Sequence, residues 1–175
     1  AWTGPIFSVR RLHVQMPDGR EAVRDVVRHP GAVAIVALTD DGHICLVRQY
    51  RTALDRVTVE IPAGKLEPGE DPLAAAHREL EEETGFTADK MAYLTSIASS
   101  DGFTDEVIHL YMATGLTFTS SNPDDDEFIN VDLVELTELV DAVLDGRVED
   151  AKTVVGALAC DAVARRLAPN APTED

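Results

Sequence analysis

Glu79, Glu82 and Glu83 stand within one short stretch that also carries Glu70 and Arg78. On an α-helix, Glu79 and Glu83 are i,i+4 neighbours and Glu79 and Glu82 are i,i+3, so the three carboxylates share an arc of about 100°. Like charges so placed cost a helix roughly a few tenths of a kcal/mol per pair unless something positive intervenes. A divalent cation reverses that sign. Mg²⁺ takes hard oxygen ligands and retains several waters, so a few carboxylates on one helix face can hold it against a substrate's phosphates. The competing reading is a solvated acidic face, which any Glu-rich helix can present. The helix itself is well marked. Asp71 is a good N-cap, Pro72 suits the first helical position and Gly85 is placed to end the helix, while Leu73, Ala76, Leu80 and Thr84 form the stripe expected to pack inward.

The flanking spacing favours the cation. Gly64, five residues, Glu70, seven residues, Arg78-Glu79-Leu80, one residue, Glu82-Glu83, one residue, Gly85-Phe86 is a pattern of fixed positions. At about 7% frequency per fixed residue, its chance occurrence is below about one in a million per starting position. The pattern resembles the Nudix box at every position. Val47-Arg48-Gln49-Tyr50-Arg51, Glu60-Ile61-Pro62-Ala63-Gly64 and Gly102-Phe103-Thr104-Asp105-Glu106 resemble the ADP-ribose pyrophosphatase branch of that family. The resemblance implies an α/β fold, a Nudix α/β/α sandwich with a mixed β-sheet. It implies metal ligation by Glu79 and Glu83, by Glu82 directly or through water, and by the backbone carbonyl of Ala63. Mg²⁺ is the expected cofactor, with Mn²⁺ as a substitute. Arg78, with Glu70, would orient the glutamates, and Gly64 and Gly85 would support the site. The implied reaction is hydrolysis of ADP-ribose to AMP and ribose 5-phosphate. The alternatives are another nucleoside diphosphate sugar such as GDP-mannose, or a non-catalytic sensor of ADP-ribose.

A diphosphate approaching clustered carboxylates needs cations on its far side, and Arg48 and Arg51 arrive from the strand before the box. Arg51 is the stronger candidate; its alternative is an ion pair with an acid such as Glu60. The resemblance places Glu106 beside the substrate's ribose or phosphates and an N-terminal aromatic, Phe7 or Trp2, in the adenine pocket, often across a dimer interface. It also places the general base on an acidic loop after the box. Here that loop is Asp124-Asp125-Asp126-Glu127, giving Glu127 first, Asp125 second and box residue Glu82 as the fallback. One position departs from the branch, which usually carries proline where this chain has Asp101. Asp can initiate the same kind of turn, so the departure bears on substrate identity and leaves the hydrolytic chemistry intact.

The elements that must position these residues read as one mixed α/β chain. Residues 6–14 and 22–27 alternate like a small antiparallel unit, 31–38 is an apolar β-branched run buried on both faces, and Asp40-Asp41-Gly42 suggests a hairpin into 43–47. Further strands are expected at 57–61, 93–98, 107–113 and 129–134, and helices at 137–144 and 151–167. The expected division is an N-terminal β unit over 1–30, a dimerisation element, and a hydrolase domain over 31–175. A homodimer is expected because the N-terminal unit is too small to bury its own apolar face.

In 175 residues, Lys and Arg total 15 against 32 Asp and Glu, a formal charge of −17. That field opposes nucleic acid and anionic membrane as partners and leaves a small-molecule nucleoside diphosphate, provided local cations reverse the sign. Cys45 and Cys160 lack metal or redox spacing, and no apolar run reaches the roughly 20 residues of a membrane span, so the expected location is the cytoplasm.

Overall fold

The computed structural model describes residues 1–119 and 130–167. Its centre is strand β4 (Ala32–Ala37), buried at every position. β4 lies in a four-stranded sheet of order β7-β4-β9-β8, with β7 at Ala63–Lys65, β8 at Phe86–Ala98 and β9 at Val107–Phe118. β4 and β9 run parallel; the other two pairings are antiparallel. The pleat sends alternate residues to opposite faces, which explains how one six-residue strand serves two cores. Val33, Ile35 and Ala37 join Ala75, Ala76 and Leu80 of α1 (Pro72–Thr84). Ala32, Ala34 and Val36 meet the other layer, where Leu139 and Val140 of α2 (Leu136–Leu144) join Ala157 and Cys160 of α3 (Ala151–Leu167). Helices thus cover both faces of a mixed sheet, the expected sandwich. α3 packs close because Gly156 lacks a side chain: a Cβ there would come within 2.9 Å of Val36 and 3.0 Å of Ile61.

A second, antiparallel sheet of order β10-β5-β6 comprises β5 (His43–Arg51), β6 (Arg56–Glu60) and β10 (Asn130–Glu135). This corrects the hairpin expected at Asp40-Asp41-Gly42. The turn forms, but β4 and β5 pair only through the bridge Leu38–Ile44 before diverging. β9 occupies one edge of β4, while β7 and the Pro62 carbonyl occupy the other, so no edge is left for β5.

α1 begins and ends as its sequence dictates. Asp71 accepts from the Leu73 and Ala74 amides at 3.0 and 3.1 Å, and Gly85 takes φ 74° to donate to the Glu81 carbonyl. Its inward stripe is shifted from expectation: Leu73 is exposed, whereas Ala75 and Glu83 are buried. Small Ala75 and Ala76 let the helix axis sit close to β4, leaving the first-turn leucine outside the contact. β8 starts directly after Gly85, earlier than expected, because its first half pairs with the extension of β9 to Phe118 and packs Phe86, Ala88 and Met91 on the core.

β1 (Trp2–Thr3), β2 (Ser8–Gln15) and β3 (Glu21–Arg28) form a separate antiparallel sheet. It joins the rest through the Val27–Thr104 bridge, the Val27 amide to the Phe103 carbonyl at 2.8 Å, and Asp105, which accepts from Arg28 and the His29 amide. Trp2, Ile6, Phe7 and Val23 remain exposed on it. Both cysteines are buried and free, and burial pushes the Cys45 thiol up to about 12. Among the described residues no helix is long and apolar enough to cross a membrane.

Candidate active site

The acidic face of α1 lies against the turn from β6 into β7. Gly64 is required there by close approach, since a Cβ on it would overlap the Glu79 carboxylate. Glu83, one turn along, is 3% exposed; its Oε2 accepts from the Ala63 amide at 2.9 Å and its Oε1 from Gln49 at 3.0 Å. Two glutamates of one helix face therefore converge on consecutive backbone units, Ala63 and Gly64.

Arg78 organises the remainder. Its Nε and Nη2 donate to the two oxygens of Glu70, each at 2.9 Å, and its Nη1 donates to Glu79 at 2.7 Å and Glu82 at 2.9 Å. The Arg78 hydrogen bonds and the Glu67 amide hold the Glu70 carboxyl at about 2, and the three glutamates push the guanidinium pKa upward. The expected orienting role of Arg78 with Glu70 has this bidentate geometry behind it.

The donor set suits a hard divalent cation: carboxylate oxygens on Glu79, Glu82 and Glu83 and the carbonyl of Ala63, beside a glycine that admits a carboxylate to the backbone. Among the described residues, no three His, Cys, Asp or Glu side chains already converge in a metal-holding arrangement. The reason is visible in the hydrogen bonds: Glu79 and Glu82 turn to Arg78, and Glu83 turns to Ala63 and Gln49. A cation binding here competes with Arg78 for the first two.

A cleft of about 1260 Å³ opens along β6, α2 and the start of α3. Arg51, Glu60, Glu106 and Lys152 line it. Arg51 and Glu106, expected on the substrate, thus share one cavity. Arg51 also makes the anticipated ion pair, its Nε and Nη2 meeting Glu60 at 2.7 and 2.5 Å. Glu60 is no surface acid, however, being 2% exposed. Burial pushes its carboxyl up, but hydrogen bonds and charge from Arg51 and Lys152, with Thr58, outweigh burial and hold it at about 2. Glu106 accepts from Ser99 at 2.6 Å and lies 3.3 Å from His29.

Two expected substrate residues are not brought to this cleft. Arg48 leaves β5 on the face opposite Arg51, as alternation requires, and pairs with Asp132 of β10 at 2.5 Å. Phe7 packs on Trp2, ring centroids 5.4 Å apart, away from the cleft lining. Glu127 and Asp125 lie outside the described residues. Asp101 sits in a turn closed by the Phe103 and Thr104 amides on the Ser100 carbonyl, each at 3.1 Å, so the loop forms without proline.

Sequence reading missed Gln49, Lys152, Asp150 and Thr153. Gln49 had a signal, being two residues before Arg51 on the same strand face. Asp150 had one too, standing immediately before α3 with Thr153 three residues on, whereas Lys152 and Thr153 meet Glu60 and Ile61 across ninety-two positions, for which no local signal exists.

Residues 28–155 match the NUDIX domain family. A methanol dehydrogenase activator of Bacillus methanolicus is 48% identical over 158 residues, 88% of this chain and 84% of that one. An ADP-ribose pyrophosphatase of Bacillus subtilis is 44% identical over 154 residues, 87% of this chain and 83% of that one. Among solved structures, an ADP compounds hydrolase superposes with a TM-score of 0.82 at 22% identity, covering 95% of this chain and 90% of that one, which is a likeness of fold.

Proposed function

The chain belongs to the Nudix family, and from that premise we propose that it hydrolyses the diphosphate bond of ADP-ribose to AMP and ribose 5-phosphate. The observation that carries the reading is the convergence of Glu79 and Glu83 on Ala63 and Gly64. Glu79, Glu82, Glu83 and the Ala63 carbonyl would offer hard oxygens to a divalent cation, and Arg51 and Glu106 would meet the substrate from the cleft they line. The cation is Mg²⁺, with Mn²⁺ able to replace it, held by Glu79, Glu82, Glu83 and the Ala63 carbonyl. When bound it supplies Lewis-acid polarisation of the phosphoryl oxygens and a more acidic water. The chain supplies the rest. Arg78 and Glu70 hold the glutamates in register, Arg51 meets phosphate charge, and Glu106 accepts from substrate hydroxyls. Glu127 is the general base, with Asp125 second and Glu82 third.

The test is incubation with Mg²⁺ and a panel of ADP-ribose, GDP-mannose and related nucleoside diphosphate sugars, with products identified by chromatography. AMP and ribose 5-phosphate from ADP-ribose are expected. Cleavage confined to GDP-mannose would move the substrate assignment, and binding of ADP-ribose without cleavage would make the protein a sensor. A second reading rests on the 48% identity to a methanol dehydrogenase activator, by which this chain would act on a dehydrogenase. Stimulation of a dehydrogenase in a coupled assay, together with inertness toward free ADP-ribose, would favour it.

We further propose a homodimer in which the N-terminal sheet, residues 1–30, meets the partner copy. Trp2, Ile6, Phe7 and Val23 leave it with an exposed apolar face that its three strands cannot cover alone. Light scattering at micromolar concentration is expected to give twice the chain mass; monomer alone would count against it.

A further inference from the structure

Behind Arg51 stands a chain of buried polar contacts with no place in the reaction as described so far. Glu60 Oε1 accepts from Arg51 Nε at 2.7 Å and from Thr58 Oγ1 at 2.5 Å. Its Oε2 accepts from Arg51 Nη2 at 2.5 Å and from Lys152 Nζ. Four donors saturate one carboxylate, which offers about four acceptor sites. Lys152, 8% exposed on the first turn of α3, is held from behind by Asp150 Oδ1 at 2.8 Å. Asp150 Oδ2 in turn accepts from the Thr153 amide at 3.0 Å and hydroxyl at 2.6 Å, at the α3 N-terminus where a negative charge is favoured. Thr153 Oγ1 accepts from the Ile61 amide at 2.9 Å, fixing the same segment that continues into Ala63 and Gly64.

We propose that Lys152 is a positioning residue for substrate binding, acting through Glu60 to hold the Arg51 guanidinium in the orientation that meets the substrate diphosphate. This role rests on the ADP-ribose reading above. Buried ion pairs are a poor source of stability, because desolvation offsets most of the attraction. What a saturated carboxylate does provide is direction. With Nε and one Nη2 hydrogen committed to Glu60, Arg51 keeps Nη1, which has no partner among the described residues, for an anion in the cleft it lines. A cation already fixed in orientation loses little entropy when the anion arrives. Lys152 occupies the fourth acceptor site; without it Glu60 can swing, and Arg51 with it.

The test measures calorimetric binding of the non-hydrolysable α,β-methylene analogue of ADP-ribose, alongside ADP-ribose turnover, in the whole protein. K152M is expected to weaken analogue binding about tenfold and K152R by less than about threefold, since Arg restores the charge-assisted contact. KM should rise with K152M while kcat changes less than about threefold, because the lost element is orientation of a binding group. R51Q should weaken binding more than K152M, and the double variant no further than R51Q, since residues acting through one another are non-additive. T58V removes one hydroxyl donor to Glu60 and should weaken binding by about threefold, which keeps the test available if K152M fails to fold. Unchanged analogue affinity in folded K152M, or in T58V should K152M not fold, or full additivity with R51Q, would overturn the role of Lys152 while wild-type turnover left the functional reading standing. A wild-type protein that neither cleaves ADP-ribose nor binds the analogue would overturn both.

Discussion

The two clusters flanking the cleft and the β7 turn are both built from an arginine clamped by carboxylates, yet they are opposite in charge balance. At α1, Arg78 faces three carboxylates, Glu70, Glu79 and Glu82, with Glu83 held one turn on by Gln49 and the Ala63 amide, so the cluster stays anionic and suits a further cation. At the cleft, Arg51 and Lys152 face Glu60 and Asp150, and the charges cancel. An anionic cluster left beside a glycine cradle is poised to bind. A neutral, saturated cluster is poised to hold still. On the proposed reading, one cluster would recruit a metal and the other would fix an arginine, and each half can be broken separately.

The largest effect should come from the anionic half. Chelation of divalent ions is expected to remove activity by about 10³-fold or more, the scale of a lost Lewis acid, with recovery on adding Mg²⁺ or Mn²⁺. Undiminished turnover in excess chelator would end the contrast, since the acidic face would then have no ligand to recruit.

Next in size is the general base. Glu127→Gln should lower kcat by about 10²- to 10⁴-fold with KM little changed, and Asp125→Asn should do less. If both effects are small, the base returns to Glu82 and the anionic cluster gains a second task.

Glu83→Gln should lower kcat by about 10²-fold at fixed metal concentration, as loss of a ligand charge implies. Glu83 is buried, contrary to its expected place on an exposed face, and accepts from Gln49 and Ala63. The neutral amide should therefore also cost stability, which thermal unfolding would read. Wild-type metal dependence in this variant would remove Glu83 from the ligand set.

The smallest effect concerns acid stability of the neutral half. Glu60 is held at about 2 in the folded protein against an ordinary value of 4.5. A depressed carboxyl stabilises the fold above the unfolded value and loses that contribution as pH falls toward the folded one. Denaturant midpoints between pH 4.5 and 2 should thus fall less steeply in Glu60→Gln than in the wild type, by at most about one proton's worth of slope. Equal slopes would mean that Arg51 and Lys152 do not hold the carboxylate in solution.

Most of what concerns α1 was legible in the sequence, because Asp71, Pro72, Arg78, the three glutamates and Gly85 act on one another through a repeat of 3.6 residues. The same holds for the continuous apolar run that buries β4 on both faces. Three things were decided only in tertiary structure. β5 left β4 for another sheet because both edges of β4 were already taken. Arg48 and Arg51, joined in one motif, were separated by the pleat and given different partners, Asp132 and Glu60. Lys152 met Glu60 across ninety-two positions. Local periodicity fixes which face of an element a side chain occupies; only the packing of elements fixes which distant side chain it meets there, because that depends on edges and volumes contributed by the whole chain.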